Sequence, residues 1–213
     1  MTTFITSPAP AYSHWSTTAD AIRALARGEL IILRHGDRLA LVGCAGTITP
    51  EQMAFVVRYS TGFVQVALHE RDCDRLDIPE AVPSSRTPTA PACGQCVAVD
   101  AADGITTGIS GADRARTARV LADPRTGVDD LCRPGHLVPV RVNPYVLCGR
   151  RTMAASALAL TDLARPGFSG AVFADLNGIT DQTNTAAVHD AEMLAQLHNL
   201  VLTDLRNNPE RRR

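Results

Sequence analysis

A loop hydroxyl at a helix start is the first feature of this sequence that could hold a ligand. The turn Gly108-Ile109-Ser110-Gly111 precedes a helix-forming segment that carries Asp113, Arg114 and Thr117. Exposed backbone N–H groups and the partial positive charge of a helix N-terminus attract anions, and the arginine fork binds phosphate or carboxylate oxygens. The pattern therefore predicts an anion site. The alternative is plain helix capping, because Ser-x-x-Asp before a helix is also an ordinary capping pattern.

Six cysteines are the other candidate reactive groups: Cys44, Cys73, Cys93, Cys96, Cys132 and Cys148. Cys93-Gly-Gln-Cys96 is a single CxxC pair, and a zinc site would need a second pair, or two histidines at ligand spacing, nearby in the sequence. Because neither is nearby, we expect Cys93 and Cys96 to be packing residues near a strand start. We expect the thiols to be free, as in a reducing compartment.

The composition limits the class of protein. A chain of 213 residues suits one domain with a sizeable core, and a hydrophobic content of 45% with only 4% aromatics means a core of Ala, Val, Leu and Ile. The net charge is −1 and no basic stripe is present, which argues against nucleic-acid binding. No apolar run approaches the roughly 20 residues of a membrane span, and no signal peptide is evident. We therefore expect a cytoplasmic protein that has no membrane partner.

The elements that must position the turn follow from hydrophobic periodicity. Helices are expected at 21–25, 49–59, after Gly111, at 153–163 and at 190–198, and strands at 30–33, 39–42, 63–68, 96–99, 138–142, 145–148, 171–173 and 200–202. Their alternation predicts an α+β fold, a mixed sheet with helices on its faces. We expect a mobile arm at 1–18, one domain at 19–206, a disordered basic tail at 207–213 and a loop at 79–91.

Two motifs together carry a resemblance to a known family. Gly108-Ile109-Ser110-x-x-Asp113-Arg114-x-x-Thr117 is followed by Arg133-Pro134-Gly135-His136, and this combination resembles 3,4-dihydroxy-2-butanone-4-phosphate synthase, a riboflavin-pathway enzyme that acts on ribulose 5-phosphate. The resemblance implies the family's fold, a homodimer with active sites at the subunit interface, and a pocket for a small anionic or phosphorylated substrate. The substrate-binding residues that it implies are Ser110, Arg114, Thr117, Arg133, His136 and Arg150. The alternative is structural: Arg114 in an ion pair and His136 as a core histidine.

The sequence departs from the family at the residues that would hold a metal ion. The family's acidic loop, D-D-E-D-R-E-N-E-G-D, matches residues 33–44 here, which keep Asp37-Arg38, have apolar residues in place of the acids that follow, and are about three residues shorter. At its G-G-H-T-E-A motif, Met153 stands at the histidine position and Ala155 at the glutamate position. Mg²⁺ needs oxygen ligands, and the family reaction needs acid/base groups beside a stabilised enediolate. We therefore expect no metal cofactor and loss of the standard reaction.

New polar groups would surround the former metal site, and they are the catalytic candidates together with His136. His35 and Asp37 could form an acid/base pair, and Arg151 could stand as a fixed positive charge where the cation was. The alternative for residues 35–38 is a polar turn between two strands. Cys44 and Cys148 would be nucleophiles only with a nearby base and exposure.

Three functions remain open. The first is a repurposed, metal-independent enzyme acting on a small anionic or phosphorylated substrate by isomerisation, elimination, condensation or cyclisation. The second is a non-catalytic homologue that binds a sugar phosphate or an active partner subunit. The third is the standard conversion of ribulose 5-phosphate to 3,4-dihydroxy-2-butanone 4-phosphate and formate, which the lost carboxylates disfavour.

Overall fold

A computed structural model describes residues 15–81, 93–143 and 152–205. Its helices are α1 (Thr18–Ala26), α2 (Pro50–Tyr59), α3 (Glu70–Arg75), α4 (Gly111–Ala122), α5 (Met153–Ala164) and α6 (Val188–His198). Its strands are β1 (Ile31–His35), β2 (Arg38–Cys44), β3 (Gln65–His69), β4 (Cys93–Gln95), β5 (Val99–Ala101), β6 (Leu131–Val142), β7 (Ala171–Asp175) and β8 (Val201–Asp204). None of the described helices is long and apolar enough to cross a membrane.

The strands form one mixed sheet in the order β4-β6-β3-β7-β2-β1-β8, and β5 pairs with β6 outside this path. The β1–β2 hairpin is antiparallel and turns at Gly36, whose φ of +64° suits a residue without a side chain. β3 is parallel to β6, β1 is parallel to β8, and β7 is antiparallel to both of its neighbours. The predicted α+β class, a mixed sheet with helices, is confirmed.

Successive side chains of a strand point to opposite faces of the sheet, and here apolar side chains on both faces pack against helices. On β1, Ile32 joins the core cluster that includes residues of α2, α4 and α6, whereas Ile31 and Leu33 join the cluster built with α1 and α5. The Ala/Leu-rich helix α5 is buried along most of its length, from Met153 to Thr161. Few aromatics are needed, since small side chains let helix and sheet approach closely.

Several elements differ from the sequence expectation. β6 begins at Leu131 rather than near 137, because its first half contains Pro134 and Gly135 and alternates between exposed and partly buried residues. The strand expected at 96–99 is divided: Cys96 makes an isolated bridge with Glu80, and β5 begins at Val99. The helix α3 was not expected, because it is polar and buries only Cys73.

The two ends of the described chain meet the sheet. Ser16 pairs with Thr203 of β8, and Thr17 caps α1 by accepting a hydrogen bond from Asp20 N. Residues 15–17, which were assigned to the arm, therefore contact the domain. The strand expected at 145–148, most of the arm and the basic tail lie outside the described residues.

Candidate functional site

The turn before α4 is built as the capping pattern predicts. The Ser110 hydroxyl accepts a hydrogen bond from Asp113 N at 3.1 Å, so Ser110 is the N-cap of α4. The Asp113 side chain is buried and accepts from Thr106 N (3.0 Å), Thr106 Oγ1 (2.8 Å) and Gly108 N (3.1 Å). These donors, the Thr106 backbone N–H foremost, hold the pKa of Asp113 below its usual value. The carboxylate fixes the turn, and the exposed Ser110 hydroxyl keeps its proton for a ligand.

A histidine–aspartate pair lies directly beside this turn. His136 Nδ1 is 2.7 Å from Asp100 Oδ2, and His136 N donates to Asp100 Oδ1 at 3.0 Å. Asp100 is buried, whereas the His136 side chain is 41% exposed. Because a carboxylate only accepts, Nδ1 carries the proton in the neutral ring, and Nε2 is left with its lone pair. This arrangement can accept a proton at Nε2 while Asp100 stabilises the imidazolium.

Gly108 joins the pair to the start of α4. Its φ is +81°, and a Cβ placed there would lie 2.2 Å from Asp100 Oδ2 and 2.6 Å from His136 Nδ1. No side chain fits in that space. The turn backbone therefore packs against the histidine–aspartate pair, and a ligand at the N-terminus of α4 would be within reach of His136.

The two arginines of the motifs, Arg114 and Arg133, have different surroundings. Arg114, in the first turn of α4, donates from one terminal nitrogen to Gly62 O at 3.1 Å. Arg133 donates to Leu76 O and, at 3.4 Å, to Leu131 O. The Nε atoms of both are buried without a hydrogen-bond partner among the described residues. Arg133 thus ties β6 to the residue that ends α3.

Thr117 is placed where a ligand does not reach. It is fully buried, donates to Asp113 O at 3.0 Å and accepts from Ala101 N at 3.0 Å. Its hydroxyl thereby joins α4 to β5. The predicted role in phosphate binding is not supported by this geometry, because the single hydroxyl proton is already donated to Asp113 O.

The β1–β2 turn presents the other predicted catalytic residues. His35 Nδ1 is 3.3 Å from Ser156 Oγ on α5, and Asp37 is exposed at the turn. Arg38 makes an ion pair with Asp175 of β7 at 2.6 Å. Among the described residues, no hydrogen bond joins His35 to Asp37. Residues 36–37 form the turn between β1 and β2, which agrees with the polar-turn interpretation of 35–38.

The β1–β2 turn with His35 and the His136–Asp100 pair lie at one edge of the sheet but are far apart. Gln65, at the start of β3, pairs with Phe173 of β7 and with Val138 of β6, and Thr61 N donates to Asp175 O at the end of β7. The ends of β1 and β7 therefore lie at the same edge of the sheet as the start of β3 and the middle of β6. β1 and β6 are separated by β2, β7 and β3, which corresponds to about 19 Å across a flat sheet at 4.7–4.9 Å per strand. One subunit therefore does not bring His35 and His136 together.

A family model described as 3,4-dihydroxy-2-butanone 4-phosphate synthase matches residues 19–207. The chain belongs to this synthase family. The 3,4-dihydroxy-2-butanone 4-phosphate synthase of Agrobacterium fabrum (strain C58 / ATCC 33970) is 35% identical over 195 residues, which is 88% of each chain. A crystal structure of the synthase of Candida albicans covers 91% of this chain and 96% of its own, with 31% identity and a TM-score of 0.79.

Some relatives are much longer than this chain. The riboflavin biosynthesis protein RibBA of Salinispora arenicola (strain CNS-205) is 42% identical over 162 residues, which is 76% of this chain and 37% of that protein. The chain thus spans less than half the length of this relative.

At the start of α5, the side chains of Met153 and Ala155 carry no oxygen. Met153 is 1% exposed and Ala155 is 5% exposed, and both pack in the apolar cluster between α5 and the sheet. In residues 15–81, 93–143 and 152–205, no three His, Cys, Asp or Glu side chains are grouped so that they could hold a metal ion. A hard cation such as Mg²⁺ prefers oxygen ligands, which the side chains of Met153 and Ala155 do not offer. Arg150, Arg151, Tyr145 and Cys148 lie outside the described residues.

Asp100 is the residue of the candidate site that the sequence did not predict. It stands in a short apolar run, and a single aspartate there has no spacing that indicates a partner. The signal arises only when β5 pairs with β6 and a bulge between Val99 and Asp100 turns its carboxylate toward His136.

Proposed function

We propose that this protein is a divergent synthase-family enzyme that binds a small anionic or phosphorylated substrate at the N-terminus of α4 and performs acid/base chemistry without a divalent cation. The reaction would be lyase- or isomerase-like: isomerisation, elimination, condensation or cyclisation. The composition is rich in Ala, Arg and Pro, which is typical of a high-GC bacterium. Copies of primary-metabolism genes often serve specialised metabolism in such bacteria, and by this association we place the protein there.

The observation that carries the proposal is the His136–Asp100 pair packed against Gly108. The anion would meet the backbone N–H groups at the start of α4, the Ser110 hydroxyl and the cationic Arg114. His136 Nε2 would then remove a proton next to a carbonyl group, and Asp100, 2.7 Å from Nδ1, would stabilise the imidazolium formed. The developing enolate needs a positive charge, and Arg151 is the candidate from the sequence.

Independence from Mg²⁺ is supported by the side chains at the family's metal positions. Met153 and Ala155 are buried among apolar neighbours and offer no oxygen. On the β1–β2 turn, Arg38 is already paired with Asp175, which keeps that carboxylate neutralised by a cation of the chain itself. No step of the proposed mechanism passes through a metal ion.

A homodimer is part of the proposal, because one subunit leaves its polar groups on separate strands. Phe63 and Ile109 are 49% and 55% exposed, and they flank Gly62 and Ser110 at the candidate site. A second copy covering these apolar side chains would bring its own β1–β2 turn within reach of His136. Residues His35, Asp37 and Arg151 would then act from the partner.

The test uses ribulose 5-phosphate as a probe in D₂O with EDTA present. Proton NMR would follow exchange of the hydrogen next to the ketone, and an enzymatic assay would follow formate. We expect exchange without formate, with loss of exchange in His136→Asn and a decrease of about tenfold to a hundredfold in Asp100→Asn. Exchange or formate release that appears only with Mg²⁺ would instead indicate the standard synthase reaction named for the relatives.

A non-catalytic homologue is the second candidate, and one observation favours it. Arg114 donates to Gly62 O and Thr117 is fully buried, so two residues of the phosphate motif serve the fold itself. In that case ribulose 5-phosphate would bind, but its hydrogen would not exchange with D₂O in EDTA or in Mg²⁺. His136→Asn would leave the binding unchanged.

A further inference from the structure

A second polar cavity lies at the other end of α4 from the candidate site. We call it the α3–α5 cavity: it is lined by α3, by His69 at the end of β3, by the C-terminal turns of α4 and α5, and by residues 165–169. Twelve residues with a rise of 1.5 Å each make α4 about 18 Å long, so the cavity is separate from the turn at Ser110. Its volume of about 430 Å³ suits a small molecule.

The two carboxylates of the α3–α5 cavity each have a basic partner. Asp162 Oδ2 is 2.8 Å from His69 Nε2, a contact that joins the end of α5 to the end of β3. Asp72 Oδ1 is 3.5 Å from a terminal nitrogen of Arg75 within α3, and Arg75 also donates to Thr126 O. These contacts fix two walls of the cavity. They leave the side chain of Asp162 36% exposed, so it can still accept a hydrogen bond from a ligand.

Two arginines of the α3–α5 cavity have no acidic partner. Arg71 is exposed on α3, and neither its guanidinium nor that of Arg165 makes an ion pair with a carboxylate of the described residues. Arg165 donates to Ala26 O at 2.8 Å, which holds its side chain in place. The C-terminal ends of α4 and α5 carry about half a negative charge each, which is less than the two guanidinium charges together. The cavity therefore offers positive charge that the chain itself does not pair.

The turn that follows α5 adds a hydroxyl and an apolar edge to the same cavity. Phe168 N donates to Arg165 O at 3.2 Å, and the central residues Pro166 and Gly167, the latter with a φ of +97°, are those of a type II turn. The Ser169 hydroxyl is buried and has no hydrogen-bond partner among the described residues, although buried polar groups are nearly always paired. The Phe168 ring is 49% exposed, so it can cover the carbon atoms of a ligand.

We propose that the α3–α5 cavity is a second binding site, which takes a small hydroxylated oxyanion. The oxyanion, a phosphate ester or a carboxylate, lies between the guanidinium groups of Arg71 and Arg165, and the Ser169 hydroxyl turns to donate to it. A hydroxyl of the same ligand donates to Asp162, and its carbon atoms pack against Phe168. This binding does not depend on the chemistry of the candidate site, because the two places share no residue.

The experiment titrates the full-length, ¹⁵N-labelled protein with glycerol 3-phosphate and, separately, with glycerate. Amide NMR signals of residues 71, 165 and 167–169 report on the α3–α5 cavity, and those of residues 108–111 report separately on the candidate site. We expect the cavity signals to shift and to saturate with a Kd of roughly 1 mM or lower. Saturation by either probe supports the proposal, and the tighter probe shows whether the ligand is a phosphate ester or a carboxylate. The proposal is overturned if neither probe gives a saturable shift at the cavity.

Arg71→Ala is the decisive variant, because Arg71 has no ion pair among the described residues for the fold to lose. We expect it to weaken binding at the cavity about tenfold to a hundredfold, and we expect Arg71→Lys, which keeps the charge but not the fork, to lie between. Arg23→Ala is the matched control, since it removes the same charge from an exposed arginine that is paired with Asp20 on α1. Its affinity should equal that of wild type. Unchanged binding in Arg71→Ala, or equal weakening in both alanine variants, would overturn the proposal.

Discussion

At the scale of single residues, the candidate site depends on the absence of a side chain at Gly108. We expect Gly108→Ala to reduce the free energy of unfolding by roughly 1–3 kcal/mol and to weaken binding of a phosphorylated probe, because its Cβ would displace Asp100 and His136. Gly36→Ala is the matched control: its φ is also positive, but nothing lies within 4 Å of its Cβ. Urea denaturation and calorimetric titration measure both effects. Equal loss of binding in the two variants would contradict the argument.

Thr117 gives a second residue-scale prediction. We expect Thr117→Val to cost about 1–3 kcal/mol of stability, because Ala101 N loses its acceptor in a buried place, while affinity for a phosphorylated ligand stays the same. Thr117→Ser keeps the hydroxyl and should lie close to wild type. Chemical denaturation and titration of each variant with ribulose 5-phosphate provide the measurements. Lost affinity at unchanged stability would restore the phosphate-binding role that the sequence suggested.

The site residues differ in how far the sequence could predict them. The sequence predicts Ser110 and Arg114 as ligand-binding residues because a helix start has a local signature. The burial of Thr117 also had a local signal, since Asp113, Thr117 and Leu121 are spaced by four and share the inner face of α4. Asp100 had none, because its partner His136 lies on another strand and their contact depends on sheet pairing.

At the scale of elements, the Asp113 carboxylate couples the 106–108 turn to the start of α4. Its pKa is lowered in the folded protein, so its stabilising effect is present above the unfolded-state value near 3.8 and is lost as the pH falls through the lower folded value. We expect Asp113→Asn to be less stable than wild type at pH 7, and we expect the difference to shrink below pH 4. Urea denaturation at both pH values tests this. A difference that is independent of pH would show that the carboxylate charge is not the cause.

Element boundaries followed the sequence where a terminus has its own chemistry. Thr49-Pro50 marks the start of α2, and the structure has the cap at Thr49 and proline at the first helical position. β6 was placed too late, because Pro134 and Gly135 carry no strand pattern and the strand is sustained by its pairing with β5. α3 was missed for a related reason, since a polar six-residue helix is stabilised mainly by what it packs against.

At the scale of the whole molecule, the sheet separates the polar groups that the sequence had placed in one pocket. Periodicity gave the α+β class, because each strand alternates between two apolar faces. It did not give the strand order, in which β7 and β3 lie between the β1–β2 hairpin and β6. The distance between His35 and His136 is a property of that order, and the homodimer proposed above is the arrangement that would bring them together.

The last prediction concerns the ligand that stabilises the folded molecule. A ligand that binds only the native state adds about 2.7 kcal/mol of stability at a hundred times its Kd, and for a domain of this size that corresponds to roughly 5–10 °C in Tm. We expect ribulose 5-phosphate to raise the Tm with EDTA present, and we expect Mg²⁺ alone to have little effect, because Met153 and Ala155 supply no oxygen. Arg114→Ala should abolish the shift, whereas Arg125→Ala, a surface arginine paired with Asp123, should keep it. A shift of several degrees with Mg²⁺ alone would mean that other residues hold the cation and that the chemistry remains metal-dependent.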